Sequence, residues 1–172
     1  LSKVFVPAKN AFGFSTRNLY FLARRSSFTF FHMSTPIQDD QFAPEPVGRY
    51  PHARRVGNLL FLSGVGPRQR GSSRIAGTET DSQGNIVAYD IEPQCHAVFQ
   101  NVKYILEAAG ATWEQIVDVT VFLTDMQRDF APFNRIYAEY FQENLPCRTT
   151  VEVNRLPTPI AIELKVIAAF EA

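Results

Sequence analysis

Between Val117 and Thr124 apolar and polar positions alternate: Val117, Val119, Val121 and Leu123 fall on one side, Asp118, Thr120, Phe122 and Thr124 on the other. A period of two is that of a strand with faces of unequal polarity. A second such run closes the chain, with Ile160, Ile162, Leu164 and Val166 on one face and Ala161, Glu163, Lys165 and Ile167 on the other. Upstream, residues 54–58 and 59–63 read as two short strands about a Gly57-Asn58 turn. Asp90 is a reasonable N-cap for a helix with Pro93 in its first turn, apolar positions at Val98, Val102, Ile105 and Ala109, and Gly110 as its stop. A second helix is predicted from Asp129, with Phe133, Ile136, Tyr137, Tyr140 and Phe141 as its buried stripe.

Pro44, Pro46 and Gly48 mark where the domain begins, and Gly64 and Gly66 open a loop after the second strand. The run 67–77 is polar and carries Arg68, Arg70 and Arg74, which fits either a flap over a ligand or an exposed connection. Residues 81–85 read as a turn ending in Gly84-Asn85. The order strand, strand, helix, strand, helix, strand, strand predicts a small α/β (α+β) domain with both helices on one face of a mixed sheet. Such a sheet leaves its other face apolar and uncovered, and self-association is the economical way to bury it.

Chemistry concentrates near the C-terminus, where Arg148 and Glu163 lie on two strands consecutive in sequence. On the first of these, Arg148, Thr150 and Glu152 share a face. A guanidinium is a planar fork of donors that matches a carboxylate, and a carboxylate on a mostly apolar strand is costly unless paired or used. One reading is that Arg148 holds the carboxylate of a small organic acid while Glu163 steers a water. The alternatives are two surface charges or a salt bridge between neighbouring strands.

The segment 146–168, P-C-R-T-T-V-E-V-N-R-L-P-T-P-I-A-I-E-L-K-V-I-A, resembles the C-terminal signature of the Rid family of enamine/imine deaminases. Arg148 and Glu163 fall on that pattern. The resemblance extends upstream through Ser63-Gly64, the helix end at Ala109-Gly110, the strand from Val117 and D-F-A-P-F-N-R-I-Y-A-E-Y-F from Asp129, covering residues 47–170. Within the family, G-V-G-P-R, N-I-V-A-Y-D-I-E-P-Q-C-H-A-V-F and V-F-L-T-D-M-Q-R-D-F are similar to the 2-aminomuconate deaminases. The resemblance implies a chorismate-mutase-like homotrimer with sites between subunits, and a deaminase that needs no cofactor and no metal. Arg148 and Glu163 are then catalytic, Arg148 also binds substrate, and Ser63, Gly64, Tyr50 and His52 belong to the pocket.

Two departures bear on substrate. Many Rid deaminases have Cys where this chain has Thr150, and often Asn where it has Arg128. A dicarboxylate such as 2-aminomuconate favours an additional basic group, for which Arg128, Arg68 and Arg70 are candidates. The implied reaction yields 2-oxohex-3-enedioate and ammonia, within tryptophan or aminophenol catabolism. A general 2-imino-acid deaminase and a non-enzymatic binding protein of the same fold are the alternatives.

Composition narrows the rest. The 172 residues carry equal numbers of basic and acidic side chains, 17 each, yet Lys3, Lys9, Arg17, Arg24 and Arg25 stand in an acid-free N-terminal stretch, leaving 12 basic against 17 acidic residues beyond it. That mildly acidic remainder argues against a nucleic-acid partner. No apolar run is long enough to span a membrane. Residues 1–40 read as a basic, Phe-rich extension of a domain at 41–172, expected to lack order up to about residue 40. The extension has two readings: a mitochondrial transit peptide, or sequence upstream of a start at Met33. Location is accordingly mitochondrial or cytoplasmic. Two cysteines, Cys95 and Cys147, are too few for a disulfide framework, and no Cys/His spacing suggests zinc.

Overall fold

The computed structural model describes residues 34–39, 41–72, 74–83 and 85–171. The basic extension through Met33, and Gly84 of the expected turn, lie outside these. Strands β1 (Ser34–Ile37), β2 (Ala53–Val56) and β3 (Leu59–Leu62) precede a hairpin of β4 (Thr78–Thr80) and β5 (Ile86–Tyr89). Helix α1 (Ile91–Ala108), strand β6 (Ile116–Leu123), helix α2 (Met126–Tyr140) and strands β7 (Cys147–Glu152) and β8 (Ile162–Ala169) complete the order. The main sheet runs β1-β2-β3-β8-β6-β7. Its pairs are antiparallel except β6–β7, which is parallel because α2 supplies the crossover.

Local signals explain the helices. The Asp90 side chain accepts from the N–H of Glu92 at 3.0 Å and opens α1. At the other end Gly110, with φ 71°, takes the left-handed turn, while its N–H donates to Glu107 and that of Ala111 to Leu106. Helix α2 starts three residues before the predicted Asp129. Asp125 caps it by accepting from Arg128 N–H at 3.0 Å, and Glu152 accepts the N–H of Met126 at 2.6 Å. The first turn, Met126-Gln127-Arg128, has no apolar period to mark it.

Order also begins earlier than expected. Strand β1 pairs with β2 from Ser34↔Val56 to Ile37↔Ala53, so the sheet starts ahead of residue 40. Four residues that include a proline carry little signal of their own, and an edge position tolerates the proline. The β4–β5 hairpin was likewise legible only as its turn, where Asp81 accepts from the N–H groups of Gln83 and Asn85.

The buried face of the sheet carries Leu60, Leu62, Val119, Val121, Leu123, Ile162, Leu164, Val166 and Ala168. Against it pack Val98, Phe99, Val102 and Ile105 of α1 with Phe133 and Ile136 of α2. Each such side chain removed from water contributes roughly 1.5–3 kcal/mol before entropy is counted. Phe61, Phe122 and Ile167 pair on the opposite face with the half-buried Glu163 and exposed Lys165, and no helix among the described residues covers them. No helix among the described residues is long and apolar enough to cross a membrane.

Candidate active site

Glu163 stands on the uncovered face beside a break in the ladder. Strand β3 pairs with β8 as far as Phe61↔Ile167, and the chain then rejoins β8 at Val65↔Leu164, one residue out of register. The Val65–Leu164 bridge is held by hydrogen bonds of 2.8 and 2.9 Å. The extra residue is a bulge, and it brings Gly64 against the Glu163 carboxylate. A Cβ on Gly64 would overlap Glu163 Oε1 and stand 2.8 Å from its Cδ, so only glycine leaves the carboxylate its place. Glu163 is half-buried and makes no hydrogen bond or ion pair among the described residues. Burial pushes its carboxyl above the usual carboxylate range, and the positive charge of Arg68 partly opposes this.

The cleft at Glu163 is lined by Val47, Tyr50, Gly64, Arg68 and Ile160, and a smaller recess alongside adds Pro44, His52 and Ser63. Tyr50 is 43% exposed and borders both. Ser63 faces the recess, yet its hydroxyl donates to Pro51 O at 2.7 Å and its N–H to His52 O at 2.9 Å, so its protons are already spent on the scaffold. His52 is buried. Its Nδ1 accepts the N–H of Asp39 at 3.0 Å and its Nε2 lies 3.0 Å from Pro44 O, a pure acceptor. Those partners require the neutral Nε2–H tautomer and leave neither nitrogen for a substrate. Asp39 in turn accepts from Gln41, Ala43 and Phe42 at 2.7–3.1 Å, and Arg70 ties the same segment down through Ala43 O at 2.8 Å and the Glu45 carboxylate at 3.2 Å. Asp39 and residues 41–46 therefore form a strap fixed beside the cleft.

Arg148 belongs to a different surface. Strands β7 and β8 are consecutive in sequence but not neighbours in the sheet, because β6 lies between them. Arg148 stands opposite Val119, on the helix-covered face, whereas Glu163 stands opposite Phe122 on the other. A salt bridge between neighbouring strands is thereby excluded. The Arg148 guanidinium lies 4.5 Å from the centre of the Tyr137 ring and 5.6 Å from that of Phe133, and it makes no side-chain hydrogen bond or ion pair among the described residues. Two hydroxyls on this side, Thr150 Oγ1 and Tyr137 Oη, are buried without a hydrogen-bond partner among the described residues. Burial pushes the Tyr137 phenol up to about 12, against the opposing charge of Arg148. Arg148 and Glu163 are thus two unsatisfied charges on opposite faces of one chain.

Arg128 is already engaged. Its fork meets both oxygens of buried Asp129, at 2.8 and 3.2 Å, and its guanidinium stacks 3.8 Å over Tyr89, whose hydroxyl donates to the same Asp129. Cys95 is a core thiol pushed up to about 12, chiefly by burial, whereas Cys147 is exposed on the edge strand. Among the described residues no three His, Cys, Asp or Glu side chains gather as a metal site.

The sequence reading missed two parts of this arrangement. Asn101 of α1 donates to Gly66 O at 2.8 Å and Arg68 O at 2.9 Å, pinning the loop that carries Arg68. Its signal was a polar residue three positions after Val98 on the buried side of a helix. Tyr137 was read only as core, because helical spacing cannot tell a packed ring from one that also carries a cation.

A mixed sheet bulged at a half-buried carboxylate, backed by two helices and bearing a separate arginine, defines a small α+β protein with a polar cleft. The chain matches the family described as Endoribonuclease L-PSP over residues 41–170, and it belongs to that family, which includes the Rid and RutC proteins. It is 44% identical over 126 residues to a RutC family protein of Pyrococcus horikoshii, covering 73% of this chain and 90% of that one. It is 32% identical over 140 residues to a 2-iminobutanoate/2-iminopropanoate deaminase of Dermatophagoides farinae, covering 81% and 95%. The crystal structure of E. coli TdcF with bound serine superposes with a TM-score of 0.66 at 33% identity, over 80% of this chain and all of that one.

Proposed function

We propose that the protein is a deaminase of 2-imino and enamine acids, with 2-aminomuconate as its substrate and 2-oxohex-3-enedioate and ammonia as products. The observation that carries this reading is the Glu163 carboxylate, half-buried, unpaired and fitted against Gly64. Its raised pKa suits a base that takes a proton from water and returns it. A relative named as an imine deaminase supports the reaction class.

The enamine first tautomerises to the imine by protonation on carbon, and the imine nitrogen is protonated. Glu163 removes a proton from one water, whose oxygen bonds to the iminium carbon to give the carbinolamine. That proton passes to the amino nitrogen, the C–N bond breaks with its electron pair leaving on ammonia, and loss of the hydroxyl proton yields the ketone. Arg148 fixes the carboxylate next to the reacting carbon. Since Arg148 and Glu163 occupy opposite faces, the site is completed between chains: the Arg148 surface of one copy meets the Glu163 cleft of the next in a homotrimer, burying the uncovered sheet face. The mildly acidic composition beyond residue 38 argues against binding of RNA, and Arg148 with Glu163 argues for chemistry on a small acid.

The test is ammonia release from freshly generated 2-aminomuconate beside 2-iminobutanoate, for the parent protein and for Arg148→Ala. Turnover of the dicarboxylate in preference to the monoacid is expected, with the variant losing about 2–5 kcal/mol of binding to a desolvated carboxylate. Near-normal turnover by Arg148→Ala would remove the site assignment, and preference for the monoacid would make this a general imine deaminase.

A further inference from the structure

Arg68, Arg70 and Arg128 are the candidates for a second carboxylate, and of the three Arg68 lines the Glu163 cleft; their partners separate them further. Arg128 has two of its nitrogens on buried Asp129, and a substrate carboxylate would have to compete with that pair. Arg70 is committed to the strap, through Ala43 O, Asp39 O and the Glu45 carboxylate. Arg68 differs from both. Its side chain makes one hydrogen bond, from Nη2 to Glu45 O at 2.7 Å in an exposed position, and the rest of its fork has no partner among the described residues. Its backbone is held by Asn101 and by the bridge to Ile75, and its side chain lines the same cleft as Glu163, Tyr50 and Gly64.

We propose that Arg68 binds the distal carboxylate of a dicarboxylic substrate and is the residue by which this cleft prefers dicarboxylates to monocarboxylates. The inference rests on Glu163 marking the reaction site. A guanidinium anchored through its backbone, with one exposed hydrogen bond to Glu45 O and its remaining donors unengaged among the described residues, is suited to an anion reaching out of the cleft. A substrate with a single carboxylate, taken up by Arg148, leaves Arg68 without an anion. Arg68 is thus a specificity-determining residue, and its electrostatic effect on Glu163 is a separate property to be controlled for.

The experiment compares kcat/KM for 2-aminomuconate and 2-iminobutanoate in the parent protein, Arg68→Gln, Arg68→Lys and Arg128→Gln, each on the plateau of its own pH profile, so that ionisation of Glu163 is equal throughout. For Arg68→Gln the dicarboxylate value should fall about 10- to 100-fold more than the monoacid value, mainly through KM, with Arg68→Lys intermediate. The ratio between substrates should survive in Arg128→Gln. Equal losses for both substrates in Arg68→Gln, or loss of the preference in Arg128→Gln instead, would overturn the assignment while leaving the deaminase reading intact. A parent protein that acts only on the monoacid would overturn it too, and failure of the parent on both substrates would remove the deaminase reading with it.

Discussion

At the scale of the residue, Glu163 is a carboxylate kept where its ionised form is disfavoured. Its folded pKa is raised by burial, so the base is available only above a pH higher than for an ordinary glutamate, and kcat/KM should fall on the acid side of that point. Removing the opposing charge in Arg68→Gln should move this acid limb to higher pH. The sign for stability is the reverse: a raised carboxyl pKa favours the folded state when protonated and costs stability as pH rises through it. Glu163→Gln should therefore abolish turnover while raising the melting temperature at neutral pH, both readable on one preparation. A melting temperature lowered by that substitution would contradict the unpaired-charge account. Gly64→Ala should act by geometry. The added methyl displaces the end of a flexible side chain, so stability should change little while turnover drops by about 10²-fold, the usual cost of moving a reacting group by an ångström.

At the scale of the element, the strap of Asp39 and residues 41–46 is held by polar groups that satisfy one another, with Asp39 and His52 at the centre. Burial pushes the Asp39 carboxyl up, but the N–H groups of Gln41, Ala43 and Phe42 outweigh it and hold the group below its ordinary value of 3.8. A depressed carboxyl contributes stability above its unfolded pKa and loses it as pH falls through the folded one. The strap should therefore loosen below about pH 4, visible as weaker amide protection at Gln41, Phe42 and Ala43. Asp39→Ala should cost about 1–3 kcal/mol at pH 7, measured by urea unfolding, because buried donors are left without acceptors. Its exchange should then no longer respond to acid.

At the scale of the whole molecule, the two unsatisfied charges and the uncovered face ask for the same remedy, a second copy. Mixing inactive Arg148→Ala and Glu163→Gln chains after unfolding and refolding them together should restore roughly a quarter of the parent's activity, the chance that two intact halves meet in a cyclic assembly. No recovery would mean that each chain needs both residues itself. Light scattering on the parent protein should give three times the chain mass.

Much of this was legible beforehand because it depends on near neighbours in sequence. Alternation assigns Glu163 to the face opposite Leu164 whatever else the chain does, and the Asp90 cap with the Gly110 stop bounds α1 without reference to the sheet. Strand order is another matter. That β6 enters between β7 and β8, parting Arg148 from Glu163, follows from α2 crossing over and β8 returning to the sheet centre, which no local period encodes. The same holds for the arginines. Arg68, Arg70 and Arg128 are alike as residues, and only contacts with groups far along the chain, such as Ala43 with Arg70, decide which keeps a free fork. Sequence by itself determined the two helices, the strands with a clear period, their faces and the residue types available for chemistry; tertiary structure decided the short edge strand β1, the β4–β5 hairpin and which charges are paired, because these depend on distance in space between groups that the chain order leaves far apart.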